Sequence, residues 1–313
     1  MKHLTLILTS LLAASAAVVP PPRQKLQRLP LQKSHLTFNS PPKYEKRISR
    51  YDTKTGQPVY YDPKPKVQLL DAKSGKYAFK WIGYDGREKN IIFQRADAID
   101  TIVSASVSRT AAGQYLYTYN ITNLPSSGSN LSGFAVQTFT PSLSPIGVDN
   151  VHIGRMSNNR QMAHGNWIRF APLSSFKPSV VPGRVVEFKL ISPAPPGLVE
   201  CRVHGGELGL RGVGEDMPQE LENILPSYED WPRGYTVGPN SNLASSSISD
   251  RLEDVLLWLP QFKKLGWITP ASCGWYKQNL NPNNLELVHK HAEQDLSAGN
   301  ITTEVYAILQ AIR

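Results

Sequence analysis

The sequence predicts an antiparallel β-sandwich followed by a small α-helical C-terminal module, and three observations carry that reading. The stretch QYLYTYNIT, 114–122, sets Tyr115, Tyr117, Tyr119 and Ile121 at every second position, with Leu116, Thr118 and Asn120 between them. Alternate side chains of a strand point to opposite faces, so this is an aromatic core face backed by a mostly polar one. Around it, from about residue 57 to 203, turn signals recur every 8–15 residues with no helical period between them, the texture of an antiparallel sandwich. From Ser249 onward the apolar period becomes helical.

At 313 residues the chain has material for about two domains. Met1-Lys2-His3, the apolar run Leu4 to Leu12 and the small residues Ala13 to Ala17 are the parts of a secretory signal peptide over 1–17, with Ala14-Ser15-Ala16 as its cleavage motif. That apolar run is shorter than the roughly 20 residues a membrane span requires. The expected location is therefore secreted or periplasmic, with no transmembrane segment after signal removal. Residues 18–50 form a Pro-rich linker carrying Arg23, Lys25, Arg28, Lys33, Lys43, Lys46, Arg47 and Arg50 against Glu45 alone, a net charge of +7 within a total of +9. The folded part is thus nearly neutral, which argues against nucleic acid as a partner, since binding would need a basic face.

The sandwich domain is expected over 51–206. Asp52-Thr53-Lys54-Thr55-Gly56 and Asp71-Ala72-Lys73-Ser74-Gly75 share one turn chemistry: Asp binds local amides and Gly supplies a positive φ. Strands are expected at Val67–Leu70, Tyr77–Ile82, Ile91–Gln94, Asp100–Ser108, Phe134–Phe139, Trp167–Phe170, Val185–Ile191 and Leu198–Val203, with Asp85-Gly86 as a hairpin turn. Residues 207–248 read as an acidic connector and linker: seven acids over 207–230 face only Arg211, and a Ser/Asn-rich stretch follows.

The helical module is expected over 249–313. Ser249 can cap a helix whose Leu252, Val255, Leu256 and Leu259 share a face and which ends near Gly266. Thr269-Pro270 and Asn281-Pro282 are cap-plus-first-position pairs for two more helices. Thr302 or Thr303 opens a fourth, lined by Val305, Ile308, Leu309 and Ile312. The two cysteines of the chain, Cys201 and Cys273, are expected to form a disulfide clipping this module to the sandwich, as an even count in an exported protein favours.

Chemistry-bearing motifs are sparse. The sequence has no G-x-S-x-G elbow, H-E-x-x-H pair, P-loop or dinucleotide fingerprint, so no catalytic, cofactor-binding or metal-ligating residue is assigned. His289 and His291, two apart on a helix, do not share a face. The candidate ligand surface is YEDWPRGY: Tyr228, Trp231 and Tyr235 beside Glu229, Asp230 and Arg233. Aromatics next to charged hydrogen-bonding groups suit stacking on a sugar or holding a peptide. The competing role for Trp231 is packing, because large aromatics bury their area wherever they can.

The segments QYLYTYNITNLPSSGSNLSGFAVQTF (114–139), PPGLVECRVHGG (195–206) and GVGEDMPQELENILP (212–226) resemble bacterial exported β-sandwich proteins of uncharacterised function, broadly immunoglobulin- or fibronectin-III-like. LEDVLLWLPQFKKLGWI (252–268) and LSAGNITTEVYAILQAI (296–312) resemble a FIMAH-type helical module. These likenesses imply a fold and name no activity. The expected function is an exported non-catalytic binding or scaffold protein recognising polysaccharide or protein at the cell envelope. The alternative is a polysaccharide-directed hydrolase using carboxylates of the 207–230 connector.

Overall fold

The computed structural model describes residues 48–60, 62–139, 144–146, 151–156, 166–172, 180–206, 218, 221 and 231–313. The expected signal peptide, and the basic linker up to residue 47, lie outside the described residues. What is described is a set of antiparallel β-sheets followed by short helices.

A hairpin of β1 (Ile48–Tyr51) and β2 (Pro58–Tyr60) opens the chain, and β3 (Lys66–Asp71), β4 (Lys76–Ile82) and β5 (Glu88–Gln94) form a three-stranded sheet. The two D-x-K-x-G turns take the expected form. Asp52 Oδ1 accepts from the Lys54 and Thr55 amides and Asp71 Oδ1 from that of Lys73, while Gly56 and Gly75 sit at φ 64° and 61°. Phe79, Trp81, Phe93 and Leu221 make a small core of their own on this sheet.

Next come β6 (Thr101–Arg109), β7 (Tyr115–Asn123), β8 (Leu131–Thr138), β9 (Ser144–Ile146), β10 (Val151–Met156), β11 (Asn166–Pro172), β12 (Val185–Ser192), β13 (Pro196–Gly205) and β14 (Arg233–Pro239). They divide into a four-stranded sheet, β6-β7-β12-β9, and a five-stranded sheet, β10-β11-β8-β13-β14. β7 is the central strand the sequence predicts: it pairs with β6 on one side and β12 on the other, and Tyr115, Tyr117, Tyr119 and Ile121 are all buried. Tyr119 stands 5.3 Å from Phe134 of β8, and Phe188 of β12 stands 5.1 Å from Phe170 of β11. The two sheets therefore share one aromatic core. Aromatic pairs at such separations add about 0.5–1.5 kcal/mol each beyond their area burial.

The helices are α1 (Asn242–Ser245), α2 (Ile248–Lys264), α3 (Pro270–Asn279), α4 (Leu285–Ser297, after a 3-10 turn at Pro282–Asn284) and α5 (Thr303–Gln310). The cap of α2 is Ser247 rather than Ser249. Asp250, three residues on, completes a capping box: each residue's side chain accepts from the other's amide. Leu252, Val255, Leu259 and Phe262 of α2 and Val305, Ile308 and Leu309 of α5 belong to the same apolar cluster as the sheets. At the start of α5, buried Glu304 accepts from the Ala105 amide at 2.7 Å, and Thr303 donates to the Ala105 carbonyl at 3.0 Å. β6 is an edge strand, so this contact satisfies backbone groups that the edge leaves unpaired.

Two expectations need correction. The stretch 207–248, read as connector and linker, contains β14 and α1. β14 escapes a local reading because Pro232, Gly234, Gly238 and Pro239 look like loop residues. As an edge strand pairing only with β13, it tolerates proline at its ends. Gly238 is needed there, since an added Cβ would stand 2.7 Å from Val199 Cγ2. The expected disulfide is not formed: Cys201 and Cys273 are free, buried thiols. Cys201 lies on the inner face of β13 between Val136 and Gly234, and burial pushes its thiol well up. Cys273 faces α2, its thiol donating to the Leu259 carbonyl at 3.9 Å. Each is enclosed by different neighbours.

Candidate functional site

The five-stranded sheet has an apolar inner face, including Phe134, Val136, Ile168, Phe170, Cys201 and Val203. The register fixes what lies on the other face, because residues directly opposite across antiparallel strands point the same way. Arg169 of β11 is opposite Ala135 of β8, Ala135 is opposite Arg202 of β13, and Arg202 is opposite Arg233 of β14. Three arginines thus stand in one row across the sheet. One neighbouring row holds Trp167, Gln137, Glu200 and Tyr235; on the other side His204 stands opposite Gly133.

The side chains are interlocked. Arg169 Nη2 donates to His204 Nε2 at 2.5 Å, and His204 Nδ1 donates to the Gly205 carbonyl at 3.0 Å, which sets the Nδ1–H tautomer. The His204 ring stacks on Trp231 at 4.0 Å. Arg169 lies 5.4 Å over Trp231, and Arg202 5.1 Å over Trp167, both in cation–π range. Gly133 makes room for this packing, since a Cβ there would stand 2.7 Å from His204 Cδ2. Trp167, Arg202, His204 and Trp231 are buried, at 2%, 5%, 6% and 7% exposure, whereas Arg169, Glu200, Arg233 and Tyr235 are half-buried.

Among the described residues of these rows, Glu200 is the one carboxylate beside three guanidinium groups. Burial, and then the Arg169 cation, hold the His204 imidazole down to about 3 against the raising effect of the Gly205 carbonyl, so the ring is neutral. With Nε2 occupied by Arg169, His204 is not placed to move protons. Trp167 Nε1, Arg169 Nε and Arg233 Nε are buried donors with no hydrogen-bond partner. All three are donors, and Arg and Trp side chains accept nothing.

Of the sequence-predicted surface, Trp231, Arg233 and Tyr235 fall at alternate positions leading into and along β14, and so share this face. Trp231 is buried against His204, which fits its packing role. Tyr228, Glu229 and Asp230 lie outside the described residues, as do all the other acids of 207–230. Sequence reasoning missed Trp167, Arg169, Glu200, Arg202 and His204. A signal was present in NWIRF and VECRVH, where charged or aromatic residues alternate with apolar ones. Reading it as one surface requires knowing that β8 brings β11 and β13 together. A second polar cluster sits in the helices: His291 stacks on Trp275 at 3.7 Å and faces Asp295 at 3.5 Å, and Asp295 also accepts from Asn300. It ties α3 to α4.

Among the described residues, no group of three or more His, Cys, Asp or Glu is arranged to hold a metal ion, and no helix is long and apolar enough to cross a membrane. No protein-family model matches the chain, and no curated protein matches it. Among solved structures it is similar to an uncharacterized protein from Nocardia farcinica whose crystal structure reveals an immunoglobulin-like fold. The identity is 13%, the match covers 42% of this chain and 95% of that one, and the TM-score is 0.26.

Proposed function

We propose that the protein is an exported, non-catalytic binding or scaffold protein, an immunoglobulin-like β-sandwich with a helical C-terminal module that recognises polysaccharide or protein at the cell envelope. The observation that carries this reading is the half-buried Arg233 and Tyr235, side by side on β14, with half-buried Arg169 on the same face of the five-stranded sheet. Guanidinium forks give directional, bidentate recognition of oxygen acceptors, and aromatic rings beside them give apolar contact area. Export rests on the N-terminal residues 1–17 alone.

The hydrolase alternative needs two carboxylates flanking one bond. Its candidate carboxylates, those of the 207–230 connector, lie outside the described residues. The binding reading is tested by titrating the protein with a panel of polysaccharides and cell-wall fractions, with Tyr235→Ala alongside. Tyr235 is half-buried on an edge strand, so its truncation leaves the fold in place, whereas Trp231→Ala would also remove the stacking on His204. Saturable binding that Tyr235→Ala weakens supports recognition at this face. Turnover of any panel member would replace the proposal with an enzymatic one.

A further inference from the structure

We infer that the free edge of β3 is a self-association surface, on which β3 of a second copy of this chain pairs antiparallel and joins the two three-stranded sheets into one of six strands. β3 pairs with β4 alone, so its outer backbone groups meet no strand among the described residues. Leu69 and Leu70 on it are 52% and 44% exposed, and an edge left apolar in this way invites pairing with another chain. The register against β4 fixes the faces. Val67 and Leu69 stand opposite Phe79 and Tyr77, on the side of the small core, while Lys66 and Gln68 stand opposite Lys80 and Ala78 on the other side. A bulge at Leu70 then brings Asp71, not Leu70, to the next position, opposite Lys76.

That order is self-complementary. With a twofold axis at Gln68, residues opposite each other across the new antiparallel pair point the same way. Val67 then meets Leu69 of the partner subunit on the core side, and Lys66 meets Asp71 of the partner subunit on the other side, each twice over by symmetry. Within one chain Lys66 makes no ion pair among the described residues, and Lys80 opposite it is a like charge occupied by Glu88 at 3.7 Å. Asp71 accepts from the Lys73 amide and the Ser74 hydroxyl, and a carboxylate has lone pairs for a further donor. β5, the other edge of this sheet, has no such order: about its middle residue, Ile91, Lys89 would face Phe93 and Asn90 would face Ile92. One strand against one strand buries no more than about 1,200 Å², the low end of specific interfaces, so the dimer forms reversibly and at high protein concentration.

The experiment follows the mass of the full-length protein by sedimentation equilibrium over a range of concentrations, for the wild type and Lys66→Glu, with thermal melts in parallel. Mild oxidation of Gln68→Cys and Lys66→Cys is added. Lys66 and Gln68 are exposed, so these variants keep the fold. The expected result is a reversible rise in mass toward two chains, about tenfold weaker in Lys66→Glu at an unchanged melting temperature, because two carboxylates then face each other at both ends. Gln68→Cys should crosslink to its own copy on the axis. The two sulfurs of Lys66→Cys, four positions apart along the strands, stand about 14 Å from each other and should not. Cys201 and Cys273 are buried, so the wild type is the uncrosslinked control. Equal association in Lys66→Glu, or equal crosslinking at both positions, would place any dimer elsewhere and overturn the edge. A chain that stays monomeric, with no Gln68→Cys crosslink, would overturn the second copy and leave β3 open to some other chain.

Discussion

The two faces of the five-stranded sheet are made by the same strands, residue by alternate residue, and are built on different physics. On the inner face Phe134, Phe170, Val136 and Val203 meet Tyr119 and Phe188 of the other sheet, so ring and aliphatic packing dominates, with the Tyr119 hydroxyl buried without a hydrogen-bond partner. On the outer face Arg169, Arg202, His204, Trp167 and Trp231 are held by one strong hydrogen bond, ring stacking and cation–π contacts, with donors left over. Burying an unpaired donor costs about 1–3 kcal/mol by mutational measure, and both faces carry such groups.

The comparison breaks most visibly at Phe134. It is fully buried and touches aromatic rings from both sheets, so Phe134→Ala should cost about 3–5 kcal/mol in denaturant unfolding. A cost below about 1 kcal/mol would mean that the two sheets do not share a core.

The outer face should instead show pH dependence. The His204 pKa is depressed in the folded state to about 3 from an ordinary value of 6.5, so between those limits the unfolded chain binds the extra proton. Stability from this group is present above pH 6.5 and is lost as pH falls toward 3. The stability difference between wild type and His204→Gln should therefore shift by about 2–3 kcal/mol against the wild type on going from pH 7 to pH 4. A difference constant across that range would show that His204 titrates as an exposed histidine.

A milder test is Gly133→Ala. Its added methyl meets the His204 ring, so destabilisation of about 1–3 kcal/mol is expected, and combining it with His204→Ala should relieve most of that. An additive double mutant would refute direct contact. Smallest in stability is Arg233→Gln, on an edge strand and half-buried, for which a change within about 1 kcal/mol is expected.

What was legible in the sequence was what is local. The Tyr alternation of β7, the D-x-K-x-G turns and the Thr269-Pro270 start of α3 each depend on residues within a few positions of one another, and each appears as read. β14 was not legible, because its flanking Pro and Gly residues mimic a loop and its strand character comes from pairing with β13. The arginine row was out of reach for a related reason. Arg169, Arg202 and Arg233 lie far apart in sequence and meet only through the order β11-β8-β13-β14, in which β8 sits between two later strands. The free state of Cys201 and Cys273 follows likewise from where each side chain points, which an even cysteine count does not encode.

The account's central claim is that the half-buried side chains of the outer face recognise a ligand. Its most direct measurement is binding of the full-length protein to the panel of polysaccharides and cell-wall fractions, for the wild type and Tyr235→Ala, with thermal melts alongside. Saturable binding that Tyr235→Ala weakens at an unchanged melting temperature is the predicted result. Binding that Tyr235→Ala leaves unchanged, or no binding to any panel member, would contradict it and leave this face as packing.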